Sequence, residues 1–176
     1  MELLQYADYA DIEDQLRKKG FINDMESSIV CRYKINGIVV DVMPTNENIL
    51  GFKNQWYAEG FKNSIEYPIT ENKSVRIFNS VYFIALKLDA FKDRGKNDGR
   101  FSSDFEDIIY VLNNRTGIWE EMLHAPEPVK VYLKSEFKNL VANDNLYEWI
   151  SSNLEHSEQN RADYVYGGLI DFISDE

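Results

Sequence analysis

Val30-Cys31-Arg32-Tyr33-Lys34-Ile35-Asn36-Gly37-Ile38-Val39-Val40-Asp41-Val42-Met43-Pro44 is the stretch on which the fold turns. Two β-rich runs flank Asn36-Gly37, the strongest short hairpin signal a sequence offers. A two-residue type I′ loop needs positive φ at both central positions, which Asn and Gly tolerate at low cost. With those two residues as the loop, the register follows: Ile35 faces Ile38, Lys34 faces Val39, Tyr33 faces Val40, Arg32 faces Asp41 and Cys31 faces Val42. One face then holds Cys31, Tyr33, Ile35, Ile38, Val40 and Val42 and reads as a core face. The second strand is apolar except at Asp41, which predicts a central strand covered on both sides. A carboxylate there needs a cation, a metal or several donors. Two readings of Asp41 follow: a structural ion pair with Arg32 directly opposite, or a metal-binding or catalytic carboxylate with Arg32 and Lys34 beside it to hold phosphate.

Around this hairpin the chain has 176 residues, enough for one domain with a real core or a core plus a helical appendage. The net charge of −11 makes the surface as a whole repel nucleic acid and anionic membrane. Any contact with nucleotide or nucleic acid must therefore be local. The single cysteine, Cys31, falls on the expected core face and reads as a small packed hydrophobe. A cytoplasmic setting is expected: the first residues lack a signal-peptide pattern and no apolar run reaches the length of a membrane span.

Outward from the hairpin, residues 6–19 read as a helix with Tyr9, Ile12 and Leu16 at helical spacing, Arg17-Lys18-Lys19 in the last turn and Gly20 as its stop. Residues 21–28 read as a connection and 45–48 as a polar loop. Phe52, Trp56, Tyr57 and Phe61 predict a short aromatic helix. Residues 67–69 and 74–78 read as two short strands around Asn72, with Val75 and Ile77 alternating with Arg76 as in a half-buried strand. Asn79 or Ser80 caps the next helix, whose buried stripe is Val81, Ile84, Leu88 and Phe91. Lys87 is the one cation in that apolar stretch, and Arg94, two turns on, shares its side. Lys87 either snorkels to the surface or points into a cleft. Residues 92–100 read as a basic, Gly-containing loop, solvated or facing phosphate. Ser103-Asp104-Phe105-Glu106 matches a capping box; a first-turn role explains Asp104, but Asp107 lies beside Ile108 and Ile109 near the buried stripe. From Thr116 on the pattern is helical in four segments, at 117–124, 128–141, 145–154 and 158–173. The expected class is α+β: a small sheet with flanking helices over 1–112, then an all-helical region over 113–176.

Several blocks together, namely Val-Asp-Val-Met-Pro-Thr at 40–45, Leu-Gly-Phe…Trp-Tyr at 50–57, Ala-Leu-Lys-Leu-Asp-Ala-Phe…Arg at 85–94, Ser-Asp-Phe-Glu-Asp-Ile at 103–108 and Asn114-Arg115, resemble AbiEii-type nucleotidyltransferases. These belong to the polymerase-β-like superfamily and include toxins of toxin–antitoxin systems. The resemblance implies a mixed nucleotidyltransferase sheet flanked by helices. It implies transfer of a nucleoside monophosphate from an NTP to a hydroxyl, on tRNA, another RNA or a protein, through Mg²⁺ ions held by three carboxylates. On the matching positions, Asp41 would be the third carboxylate and a metal ligand. Lys87 would contact phosphate. Asp107 would orient Lys87 or take part in proton transfer. Arg94 and Asp104 would be supporting positions, and Arg94, like Arg32 and Lys34, would contact phosphate.

The family's N-terminal Gly-Ser turn and Asp-x-Asp strand have no counterpart here. Asp8, Asp11 and Asp14 lie on the expected first helix and do not replace them. A site with one of three carboxylates suits Mg²⁺ poorly, so the expectation is a relative inactive alone, whose missing half lies upstream or comes from another chain, with an open sheet edge suited to self-association or to an antitoxin partner. The rival expectation is a non-catalytic binding protein of the same fold, in which Asp41 is paired with Arg32.

Overall fold

A computed structural model describes residues 6–27, 29, 31–42 and 54–175, apart from the side chains of 6–9. Val30, Met43, Pro44, the loop at 45–48 and Phe52 lie outside the described residues, as does the side chain of Tyr9. The chain divides into two compact units, Met1–Lys53 and Asn54–Glu176.

In the first unit, helix α1 (Tyr6–Lys18) half-buries Ile12 and Leu16, as their spacing predicts. It stops at Gly20, whose φ of 89° is open to glycine at little cost, and Phe21 N–H closes the end on the Leu16 carbonyl at 3.0 Å. A three-stranded antiparallel sheet follows in the order β1 (Ile22–Asn23), β2 (Arg32–Ile35), β3 (Ile38–Asp41). The expected register holds at each described ladder pair: Ile35↔Ile38, Lys34↔Val39, Tyr33↔Val40 and Arg32↔Asp41. Asn36 and Gly37 have φ of 50° and 81°, the left-handed pair a type I′ loop requires. Cys31 and Tyr33 are buried, and Tyr33 packs edge-on against Phe21 with ring centroids 6.4 Å apart and donates to Glu13 at 3.0 Å.

Three expectations fail in this unit, one of them the place of Ile38 on the core face: it is 62% exposed, at the end of the hairpin beside the Asn36-Gly37 loop. The connection at 21–28 contains β1, which pairs Ile22 with Lys34 and Asn23 with Tyr33; two residues are too few to show an alternating pattern. β3 is not central. It is an edge among the described residues, with Ile38 and Val39 both exposed, so its apolar run does not mark cover on two faces.

The second unit opens with a short helix α2 (Tyr57–Lys62) and a hairpin of β4 (Ile65–Thr70) and β5 (Lys73–Ile77). Every position of that hairpin is exposed, so Val75 and Ile77 are not half-buried. Their alternation is real, but no layer of this unit covers the face they share with Ile65 and Tyr67.

The remaining helices build the core. Asn79 caps α3 (Ser80–Arg94) by accepting from Tyr82 N–H at 3.0 Å, and the stripe Val81, Ile84, Leu88, Phe91 is buried as expected. The helix runs through Lys92 and Arg94, so the basic loop is shorter than predicted and is followed by a 3₁₀ turn at Gly99–Phe101. The cap of α4 (Ser103–Asn114) is Ser102, one residue before the expected one, with its hydroxyl 3.3 Å from Phe105 N–H. The Ser-Ser pair leaves the sequence ambiguous by one position. Four more helices follow: α5 (Ile118–Leu123), α6 (Glu127–Val141), α7 (Leu146–Ser152) and, after a 3₁₀ turn at His156–Arg161, α8 (Ala162–Ser174). One core cluster joins α3 and α4 to this region, and in it the rings of Phe91, Phe105 and Trp149 pack on one another. The class is α+β with a helical C-terminal region, as expected. Among the described residues, no helix is long and apolar enough to cross a membrane.

Candidate functional site

The most concentrated charge chemistry lies between α3 and α4. Lys87 and Arg94 are seven residues apart on α3 and so on one side of it; Asp104 and Asp107 are three apart in the first turns of α4. Arg94 grips Asp104 with two parallel bonds, Nε to Oδ2 at 2.6 Å and a terminal nitrogen to Oδ1 at 2.8 Å. Lys87 Nζ bridges the two acids, 3.1 Å from Asp104 Oδ1 and 2.6 Å from Asp107 Oδ2. It also lies 5.6 Å from the centroid of the Phe83 ring, where the electron-rich face adds a further attraction.

Burial sorts the members of this network. The Asp104 side chain is 3% exposed, whereas Asp107 is 45% and Arg94 66% exposed. Burial pushes the Asp104 carboxyl up, but Arg94 and Lys87 outweigh it and hold the group below its ordinary value. Burial likewise works against charge on Lys87, and Asp107 and Asp104 more than compensate, so its ammonium is held above the ordinary lysine value. Asp104 also sits in the first turn of α4, where the helix dipole favours a carboxylate.

In the first unit, Arg32 holds Asp41 with the same fork, Nε to Oδ1 at 2.7 Å and a terminal nitrogen to Oδ2 at 2.8 Å. The guanidinium lowers the Asp41 carboxyl below its usual value against a smaller burial effect. Lys34 turns to Asp24 at 2.8 Å and Glu26 at 3.5 Å. Asp41 thus lies in one compact unit, and Lys87, Arg94, Asp104 and Asp107 in the other.

The expected Mg²⁺ site does not fit these donors. Both Asp41 oxygens are held by a guanidinium, whose charge repels a divalent cation at the same carboxylate. Among the described residues no group of three His, Cys, Asp or Glu side chains is disposed to hold a metal. Sequence reasoning gave Asp104 a minor part, yet it is the hub. The available signal was its first-turn position opposite two cations spaced to meet it. Asp24, the Lys34 partner, sits in the stretch read as a plain connection and gave no signal.

No family model matches the chain, and neither a curated protein nor a solved structure matches it.

Proposed function

We propose that this chain is a relative of the AbiEii-type nucleotidyltransferases that transfers no nucleotide by itself and works as a binding protein. One observation supports the reading. Each of the four cations that would hold phosphate already has a carboxylate partner: Arg32 has Asp41, Lys34 has Asp24, Lys87 has Asp104 and Asp107, and Arg94 has Asp104. A triphosphate would have to break these pairs and leave Asp104 buried without its cations, at a cost of several kcal/mol, about 3 to 5. The partners that suit the fold are a strand from an antitoxin-like protein or a second copy, added along an open hairpin edge. The exposed β3 edge and the β4–β5 hairpin offer such edges, although Pro68 removes one donor from β4.

The test is incubation of the chain with Mg²⁺, total tRNA and each radiolabelled NTP in turn. The expected result is no label on RNA or protein. Label transfer that Asp41→Ala abolishes would overturn the binding reading and restore Asp41, Lys87 and Asp107 as a catalytic set.

A further inference from the structure

A groove of about 500 Å³ opens between α5 and α8, away from the ion-pair network. Its long wall is one face of α8: Asp163, Tyr164, Gly167, Gly168, Asp171 and Phe172 follow the spacing that keeps residues on one side of a helix. Trp119 and Leu123 of α5 form the other wall, and Asp175 continues the first. Trp119 lies edge-on to Tyr164 and donates from Nε1 to its hydroxyl at 3.2 Å.

The two adjacent glycines differ. A Cβ on Gly168 would come within 2.3 Å of the Trp119 ring, so internal packing explains that glycine. A Cβ on Gly167 would meet nothing within 4 Å, and its φ is not positive. Neither packing nor backbone geometry asks for glycine there, although glycine inside a helix costs about 1 kcal/mol relative to alanine. What Gly167 does provide is a bare backbone floor in the groove, onto which a second backbone can close.

The rim supplies the sign of the occupant. Asp163, Asp171 and Asp175 border the groove, and Asp171 makes no side-chain ion pair or hydrogen bond among the described residues. Asp163 accepts from the Tyr147 hydroxyl at 2.8 Å. Cations of the chain already rest on two of the groove's rings: Lys134 lies 5.7 Å from the Phe172 centroid and donates to the Asp175 carbonyl, and Arg161 lies 5.0 Å from that of Tyr164. Three acids against two cations, on a chain with a net charge of −11, favour a basic occupant. From residue 163 to the end of α8 at Ser174 the helix rises about 16 Å, three turns.

We propose that this groove seats a basic amphipathic helix of a partner protein. Its apolar stripe packs on Trp119, Leu123 and the exposed ring of Tyr164, its backbone crosses closely at Gly167, and its Lys or Arg side chains reach Asp171 and Asp175. Helix-in-groove recognition uses this combination of an apolar floor and charged edges.

The probe is a fluorescein-labelled Leu/Lys amphipathic peptide of about 18 residues, compared with a Leu/Glu peptide of the same apolar face, read by anisotropy at about 0.15 M salt. The Lys peptide is expected to bind, and the Glu peptide at least about tenfold more weakly. Gly167→Leu and Asp171→Lys should each weaken binding about tenfold, while Asp144→Lys, an acid outside the groove, should change it less than about twofold. Circular dichroism and thermal melting check that the variants fold; if Gly167→Leu does not, Asp171→Lys still decides. No binding, equal binding of both peptides, or an equal loss in Asp144→Lys would overturn the proposal. So would a dimer of the wild type that Gly167→Leu dissociates, because the occupant would then be a second copy.

Discussion

Two arginine–aspartate forks in this molecule have nearly the same geometry and should differ several-fold in what they contribute. Arg32–Asp41 and Arg94–Asp104 each make two bonds of 2.6 to 2.8 Å. The first lies on an edge strand with both side chains about one-third exposed, at 30% and 35%. There water competes for both charges and salt screens them. In the second the arginine is open to water, but its carboxylate is buried and also bonded to Lys87. Distances alone do not rank ion pairs. The solvation of the acid does, because a buried carboxylate stripped of its partners has no water to replace them.

The largest test of that contrast is Asp104→Ala. It leaves Lys87 partly buried with only Asp107, and should cost about 3 kcal/mol in urea unfolding, at the lower end for a broken buried pair because Arg94 can turn to water. A cost below about 1 kcal/mol would mean that burial of Asp104 does not set its worth. Acid should act next. The Asp104 carboxyl is held below its ordinary value of 3.8, so its contribution is fully present above that pH and is lost as pH falls through the lower folded value. Melting temperature should therefore drop as pH falls below about 4, and Asp104→Asn should flatten that drop. Lys87, held above its ordinary 10.5, behaves oppositely: its contribution is lost only as pH rises beyond that value. Asp107→Ala removes a half-exposed partner of Lys87 and should cost about 1 kcal/mol. The smallest effect should be the coupling of Arg32 and Asp41. A double-mutant cycle with Arg32→Met and Asp41→Asn should give a coupling well below the Asp104 effect, falling further in about 1 M salt. A coupling as large as the Asp104 effect would erase the distinction between the two forks.

The same contrast separates what was legible in the chain from what was not. The Asn36-Gly37 loop and the register around it were readable because turn chemistry and a period of two are local. The Arg32–Asp41 pair was readable for the same reason, as one of two roles for Asp41. The Lys87–Arg94 side of α3 could be read from helical spacing. Asp104 could not be recognised as their common partner, because its burial arises only when α4 packs on α3. The apolar run of β3 misled, since composition records what could be covered and not what is covered. Lys34–Asp24 was missed because the two-residue β1 that begins the intervening segment carries no periodic signal.

By itself, then, the sequence determined the elements whose causes are local: the hairpin and its register, the buried stripes of the helices, the acidic surface, and the residues able to carry charge chemistry. The tertiary structure decided which of those charges are satisfied. It joined Asp104 to both Lys87 and Arg94, left β3 and the β4–β5 hairpin open, and set Gly167 over empty space beside a Gly168 pressed by Trp119. The reason is physical: turn geometry and helix periodicity act over a few residues, whereas burial, on which the worth of a charge or a bare glycine depends, is fixed by residues far away in the chain.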